Sequence, residues 1–570
     1  MRKFLSCLLL TSVLVLPIPL VNPQQPDGTS SKVGSTQRKS DKGRKSSAAQ
    51  LLVQRGVQTI SAAQMRDYLS FIASDELEGR DTPSRGLDTA AKFLAMNMSR
   101  WGLKPAGDNG TFFQRIELRK ERMDAAQVRV DFNGRTLAAG TDYLPLAGSE
   151  NVTGQLVFAG NGWLVKAKNI DAYKGIDARG KIAIIVGSPF TMPRGITRAD
   201  LTGKQGEDWL GVPEYARQQG VAGLIYLPEY QYLATWERHR QRLMERDSLV
   251  VTKFQAPAPP QLPSIAVTPQ IANQIFQGEP QSAAMVFNAA SGTMPFEPFA
   301  LNVEKTLTMN LASRKETIGT QNVVAIWEGS DPILKNEYVA LGAHYDHVGV
   351  GVAVNGDNIY NGADDDASGT TALLAMAEAL AKAPTRPKRS VLFVWHAGEE
   401  KGLWGSRYFT EYPTVPLEKI VTQINIDMIG RSKQPNDSNA RNRDLSAPNE
   451  IYVIGSKMMS TELGDLTETV NQGYLNLAYN YRYDDPNDPN RFFFRSDHFN
   501  YARKGIPIVF YFDGEHEDYH RPGDSPDKID YLKLEQVVRT VYMTLWEIAI
   551  RPTRPVVDKK LPAAFATGGN

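Results

Sequence analysis

Residues 338–369 read YVALGAHYDHVGVGVAVNGDNIYNGADDDASG, and the order of residue types in this stretch decides the fold. Tyr338–Ala343 is an apolar run of strand length that stops abruptly at His344, Asp346 and His347. A turn-rich segment follows. Three consecutive carboxylates, Asp364, Asp365 and Asp366, then stand immediately before the helical stretch Gly369–Lys382. A buried strand, a polar loop and a helix in that order are the unit from which α/β sheets are built.

The same unit recurs on the C-terminal side. Ser390–Trp395 runs into H-A-G-E-E, giving His396, Glu399 and Glu400. Val421–Ile426 ends at Asp427, and the strand beginning at Ile506 leads to H-E-D-Y-H, giving His516 and His520. Asn322–Trp327 and Ile451–Ile454 are further strands, and Lys533–Ile550 is a further helix. Apolar strands alternating with helices predict an α/β fold with a mixed, mostly parallel central sheet flanked by helices. Open sheets of this kind gather ligands beyond the carboxyl ends of their strands. Every His, Asp and Glu named above falls at such an end.

Before Pro295 the texture differs. Ala63–Ser74 and Ala90–Trp101 carry helical apolar spacing. From 144 to 290 the chain offers short runs, Leu156–Phe158, Lys181–Val186 and Gly223–Tyr226, separated by Gly and Pro, with a charged stretch from Glu237 to Asp247. This predicts a small β-rich insert. The division expected is a signal peptide at 1–23, a flexible linker at 24–49, a first part of the catalytic domain at 50–143, the insert at 144–290, the catalytic domain at 291–551 and a loose tail at 552–570. Arg2 and Lys3 ahead of an apolar run to Val21 predict export, to the periplasm or the exterior, as a cleaved or membrane-anchored form.

Composition narrows the chemistry. Lys+Arg 64 against Asp+Glu 63 leaves a net charge of +1, so there is no basic excess for nucleic acid. The one cysteine, Cys7, lies in the export segment. Thiolate chemistry is thereby removed, and a metal would be held by His, Asp and Glu. Six of the seven histidines fall between His344 and His520. Taken singly, Asp427 reads as a turn former and the 364–366 run as a helix cap. Taken in order at successive strand ends, they read as a metal site, and two ligands plus a shared carboxylate per ion is the arithmetic of two metals.

These motifs resemble the secreted co-catalytic two-zinc aminopeptidases of the Streptomyces and Vibrio kind, over 322–531 and in E-L-E-G-R-D-T-P-S-R-G at 76–86. The 144–290 region, with G-K-I-A-I-I-V, resembles the protease-associated domain that many members carry as an insert. The resemblance implies two zinc ions per chain. His344 and Asp427 would hold one, Glu400 and His520 the other, and Asp365 would bridge them. It implies Glu399 as general base, with Asp346 orienting His344. Asp stands at 364 and 366 where Asn is familiar, and the added charge would tighten metal binding. His498 is a candidate contact to the transition state or substrate. The substrate implied is a peptide N-terminus. A folate-hydrolase-like carboxypeptidase and a one-zinc glutaminyl cyclase share the scaffold, as does the non-catalytic transferrin receptor. The first typically adds a long C-terminal helical domain, the second needs fewer ligands, and the third would have lost them. The acidic loop at 484–490 lacks spaced calcium ligands.

Overall fold

Continuous burial marks the central strands of the first of two large sheets, seen here in a computed structural model that describes residues 55–189, 191–257, 259–291 and 297–561. The export segment, the linker and residues 562–570 of the tail lie outside the described residues. Besides the two-residue Lys104–Pro105, which pairs with Ala325 and Ile326, the sheet's strands in chain order are β1 (Phe113–Met123), β2 (Ser248–Val251), β3 (Ser313–Trp327), β4 (Tyr338–His344), β5 (Ser390–His396), β6 (Ile420–Ile426), β7 (Glu450–Ile454), β8 (Ala478–Asn480) and β9 (Ile508–Phe512). Their spatial order is β2-β1-β3-β5-β4-β6-β9-β7-β8. β5, β4, β6 and β9 are mutually parallel, and antiparallel pairs flank them on both sides. β4, β5 and β6 are buried along nearly their whole length, as strands covered on both faces must be.

Helices Ala62–Ile72, Ala367–Lys382 and Tyr531–Ile550 pack together over β4. Ala340 and Leu392 share a core with Phe409 and Tyr501, from the helices Trp404–Glu411 and His498–Ala502. Each long helix starts on a side-chain cap. Ser61 and Gln64 form a capping box, and Asp366 and Asp530 accept the Gly369 and Lys533 N–H groups. Such caps satisfy N–H groups that the helix itself leaves free.

The 76–86 motif supports the loops that carry the site. Arg80 is fully buried and donates to the carbonyls of Ile72, Tyr345, Asn361 and Gly362. Four carbonyls in place of one carboxylate leave its charge to act on its surroundings, and burial lowers its pKa to about 10 against the opposing pull of Asp346 and Asp365. Gly79 beside it has φ +65°, and a Cβ there would sit 2.5 Å from the Tyr360 carbonyl, so only glycine fits.

A second sheet takes its strands from Arg129 to Asn310, a wider span than 144–290. Asn151–Phe158, Ile182–Val186, Gly223–Leu227 and Ser264–Val267 form its parallel centre. Arg129–Phe132 and Thr306–Asn310 extend one side, and Tyr143–Ala147 closes the other. Strand β2 leaves this segment to pair with β1, stitching it to the edge of the first sheet. The Glu237–Asp247 stretch is largely helical, through Trp236–Arg240 and Gln241–Glu245.

At the C-terminal end, the described residues 552–561 are tied down rather than loose. Arg554 pairs with Glu337 at 2.8 Å, Glu462 accepts the Val556 N–H, and Asp558 accepts the Thr461 N–H. No regular element forms there, so hydropathy carried no signal of this docking.

Candidate metal centre

The loops beyond β4, β5, β6 and β9 converge. β4 delivers His344 at its last residue, β5 leads through a short turn to Glu399 and Glu400, and β6 ends one residue before Asp427. Asp365 comes from the turn before the Ala367–Lys382 helix, and His520 from the loop after β9. One carboxylate organises the whole. Asp365 turns Oδ1 to His344 Nε2 at 3.1 Å and Oδ2 to His520 Nε2 at 3.1 Å. On the first side, Asp427 Oδ1 lies 3.5 Å from His344 Nε2. On the second, Glu400 Oε2 lies 3.0 Å from His520 Nε2. Donor atoms thus gather into two groups that could each hold a cation, His347, Asp365, Glu400 and His520 in one and His344, Asp366 and Asp427 in the other.

The facing nitrogens are turned onto carboxylate oxygens, His344 Nε2 onto Asp365 and Asp427, and His520 Nε2 onto Asp365 and Glu400. Imidazole and carboxylate atoms gathered face to face are the donor types of a metal site. Their titration points the same way. Burial opposes a proton on His520, but contact with Asp365 and Glu400 outweighs it and raises the pKa to about 10. His344 is likewise raised well above its ordinary value, against burial, by Asp427, Glu399 and Asp365. The carboxylates in this pocket favour positive charge, which divalent cations would supply. Imidazole and carboxylate donors without sulfur suit zinc.

Glu399 is largely enclosed beside this group, Oε2 lying 3.9 Å from His344 Nε2. Burial first, with Glu400 and Asp427 adding repulsion, raises its pKa well above the ordinary carboxylate range. Its N–H donates to Asp346 Oδ1 at 3.2 Å. Asp346 therefore ties the glutamate's backbone as well as standing under His344. The nearest acceptor to His344 Nδ1 is the Asp346 carbonyl at 3.1 Å, with the carboxylate at 3.7 Å.

Asp364 and Asp366 do not add free charge to the site. Asp366 lies within ligand range of His344 and Asp427, yet its oxygens accept the N–H groups of His344, Gly369 and Met428. It joins three segments through their backbones. Asp364 accepts the Gly430 N–H at 2.6 Å and faces His516 at 3.4 Å. His516 is thereby directed away from Asp365, which leaves His520 as the histidine of that loop in the donor group.

Two other histidines belong to the interior. His396 contacts Asp497 and the Tyr501 hydroxyl. His498, expected as a transition-state or substrate contact, is turned among aromatic rings, 4.5 Å from Phe510 and nearly parallel to it. The fold brings two further residues to the site. His347 is fully buried with Nδ1 2.9 Å from Glu400 Oε1, and Tyr519 stacks on His520 at 3.9 Å. By its place at the end of an apolar run, His347 is expected to be either a support to the ligands or a loop residue. The second follows Asp518 and precedes a ligand candidate, a signal only adjacency supplies. Gly362 permits the first, since a Cβ there would meet the His347 ring at 2.5 Å.

A small pocket opens beside the donors. Asp365, Glu399 and Asp427 line one side, Met428, Phe492, Phe510 and Phe512 form an apolar wall, and Tyr519 and Arg495 stand at its rim. The 484–490 loop lies in none of the donor groups. Asp484 accepts the Gly455 and Lys457 N–H groups, and Asp488 those of Asn490 and Phe492, so both carboxylates are used in turns and caps.

Residues 322–545 match the model of peptidase family M28. Leucine aminopeptidase 2 of Arthroderma otae is 26% identical over 282 residues, 45% of this chain and 51% of that protein. Leupeptin-inactivating enzyme 1 of Streptomyces exfoliatus is 29% identical over 208 residues, 36% of this chain and 38% of that protein. The chain thus spans about half or less of the length of these curated relatives. An aminopeptidase from Aneurinibacillus sp. strain AM-1 is similar in structure over 89% of this chain and 98% of its own, at 19% identity and a TM-score of 0.48.

Proposed function

We propose that this chain is an exported metalloaminopeptidase of the M28 kind, removing the first residue of a peptide. The observation that carries the reading is Asp365, whose two oxygens each face a different histidine at 3.1 Å, with a further carboxylate beside each. His344 and Asp427 would hold one zinc, Glu400 and His520 the other, and Asp365 both. Bound there, the pair supplies a Lewis acid for the scissile carbonyl and an acidified water.

The remaining chemistry belongs to side chains. Glu399 takes the proton of the attacking water and returns it to the leaving amine, because its carboxylate lies within the donor group and its backbone is pinned by Asp346. Tyr519 keeps its phenol proton, as burial raises its pKa and neighbouring carboxylates raise it further, so it can donate to the oxygen of the tetrahedral intermediate. Met428, Phe492, Phe510 and Phe512 offer an apolar wall to the first side chain, which favours leucine-like residues. The carboxylates lining the same pocket provide the field that a free ammonium requires. Export rests on residues 1–23. Among the described residues no helix is long and apolar enough to cross a membrane.

The test is metal analysis of the purified protein together with hydrolysis of leucine amide and N-acetyl-leucine amide. About two zinc ions per chain and cleavage confined to the free amine are expected. One zinc per chain, or equal cleavage of both amides, would overturn the reading and bring forward a glutaminyl cyclase or a carboxypeptidase.

A further inference from the structure

The second sheet holds a cavity of about 590 Å³, of the size that takes whole ligands. Leu224, Tyr226, Ser264 and Ala266 point into it from adjacent parallel strands, which places its floor on one face of the sheet. The Val212–Gln218 helix gives one wall through Pro213, Glu214 and Arg217. The helical Tyr230–Glu245 segment covers it with Tyr232, His239, Arg242 and Leu243. Tyr232 and His239 lie ring to ring at 3.8 Å, within 3° of parallel, as a flat aromatic panel.

Hydrocarbon dominates this lining, but its charge is one-sided. Arg217 and Arg242 face the cavity against a single acid, Glu214. Among the described residues neither arginine is in a salt bridge, whereas Arg240 on the same helical segment pairs with Glu237 and Glu245. Arg217 Nε and Tyr232 Oη are both buried without a hydrogen-bond partner. A buried guanidinium N–H and a phenol hydroxyl beside one hydrocarbon surface are matched by an anionic oxygen on an apolar body. Planar guanidinium donors suit a carboxylate in particular.

We propose that this cavity binds the C-terminal end of a short apolar peptide, its carboxylate on Arg217 and Tyr232 and its side chains against the partly accessible Leu146, Leu243 and Leu262. A peptide fits better than a plain fatty acid because Ser188, Gln261 and Glu214 add hydrogen-bonding groups along the wall. Peptide amides can engage these groups, and a bare hydrocarbon would leave them unmatched. The site is separate from the metal centre in residues and in chemistry, so it stands whether or not the aminopeptidase reading does.

Calorimetric titration of the full chain with acetyl-Leu-Leu-Leu tests it, since the blocked amine removes it as an aminopeptidase substrate. Saturable binding at one site per chain is expected, roughly tenfold to a hundredfold weaker for the C-terminal amide of the same peptide and for Arg217→Gln. Ala147→Trp, which fills the cavity from its half-buried rim, should abolish binding without touching the cationic groups. Both variants are checked by thermal melting, so that loss of fold is not read as loss of binding. Binding should persist after chelation of metal. Equal affinity for acid and amide, binding that disappears on chelation and survives Ala147→Trp, or decanoate outcompeting the peptide would each overturn the proposal.

Discussion

Both large sheets have parallel strands at their centre, and both have a hollow beside those strands, yet the two hollows are built from opposite materials. In the first sheet, β4, β5, β6 and β9 end in His, Asp and Glu, and the loops beyond them crowd buried donors into two groups about Asp365. In the second, hydrocarbon from Leu224 and Ala266 forms the floor, and the charged groups over it are chiefly arginines. Parallel strands supply a hollow in either case, and the residue types around it decide whether it concentrates cations or accepts an anion with an apolar body. On the two proposals together, bond breaking and recognition would be divided between two sheets that β2 stitches together.

The largest effect expected is at Glu399. Glu399→Gln keeps the side chain's shape and removes its basicity, and kcat should fall roughly 10²- to 10⁴-fold with metal content and melting temperature unchanged. Arg217→Gln should leave hydrolysis of leucine amide as it was. Steady-state rates on both variants measure the division directly. A comparable loss in Arg217→Gln would mean that the two hollows act as one site.

Metal removal should come next, because it destabilises as well as inactivates. Ligand at a thousandfold excess over its Kd contributes about 4.1 kcal/mol per site, so chelation should lower the melting temperature by several degrees. Zinc added back should restore both the melting temperature and activity. Asp365→Asn should bind zinc at lower stoichiometry, since one carboxylate serves both donor groups. Full stoichiometry in that variant would show that the bridge is elsewhere. Scanning calorimetry with elemental analysis reads both results.

A smaller effect is expected at His347. Its ring meets the Glu400 oxygen that does not face His520, so it fixes the orientation of that carboxylate. Removing such a support typically costs 10–100-fold in metal affinity. His347→Ala should therefore need more free zinc for half-saturation, as measured by competition with a chromophoric chelator, while keeping most of its kcat when saturated. Unchanged zinc affinity would make His347 a packing residue only.

These cases also mark what the sequence could disclose. Each ligand candidate stands within a few residues of an apolar run, so strand ends and residue type together picked it out. His347 stands at a strand end like the others, but its partner, Glu400, is remote in sequence and no local pattern joins them. Arg80 escaped because it bonds backbone carbonyls, which leave no trace in residue identity. The acidic neighbours 364 and 366 looked like surplus charge, and only the backbone N–H groups from Gly430 and Met428 reveal them as braces. The second cavity was least legible. Its floor uses ordinary strand residues, and the Glu237–Asp247 stretch over it is largely exposed, as its charge suggests, so hydropathy does not mark Tyr232, His239 and Leu243 as lining a cavity.

His498 sets the boundary between chemistry and core within the first sheet. Buried among Phe493 and Phe510, its imidazole is pushed down to about 3 by desolvation, against an unfolded value near 6.5. A base whose folded pKa is depressed contributes its full stability above the unfolded pKa. It loses that stability as pH falls towards the folded pKa, because only the unfolded chain gains the proton. Between pH 7 and pH 5 this amounts to about 2 kcal/mol, at a limiting slope of about 1.4 kcal/mol per pH unit. His498→Phe removes that liability while keeping an aromatic ring in place. Urea unfolding should show the variant losing about 2 kcal/mol less than the parent over that interval, with the rate on leucine amide unchanged at pH 7. A large fall in kcat with no change in pH-dependent stability would put His498 back at the reacting carbonyl and move the edge of the active site one layer deeper.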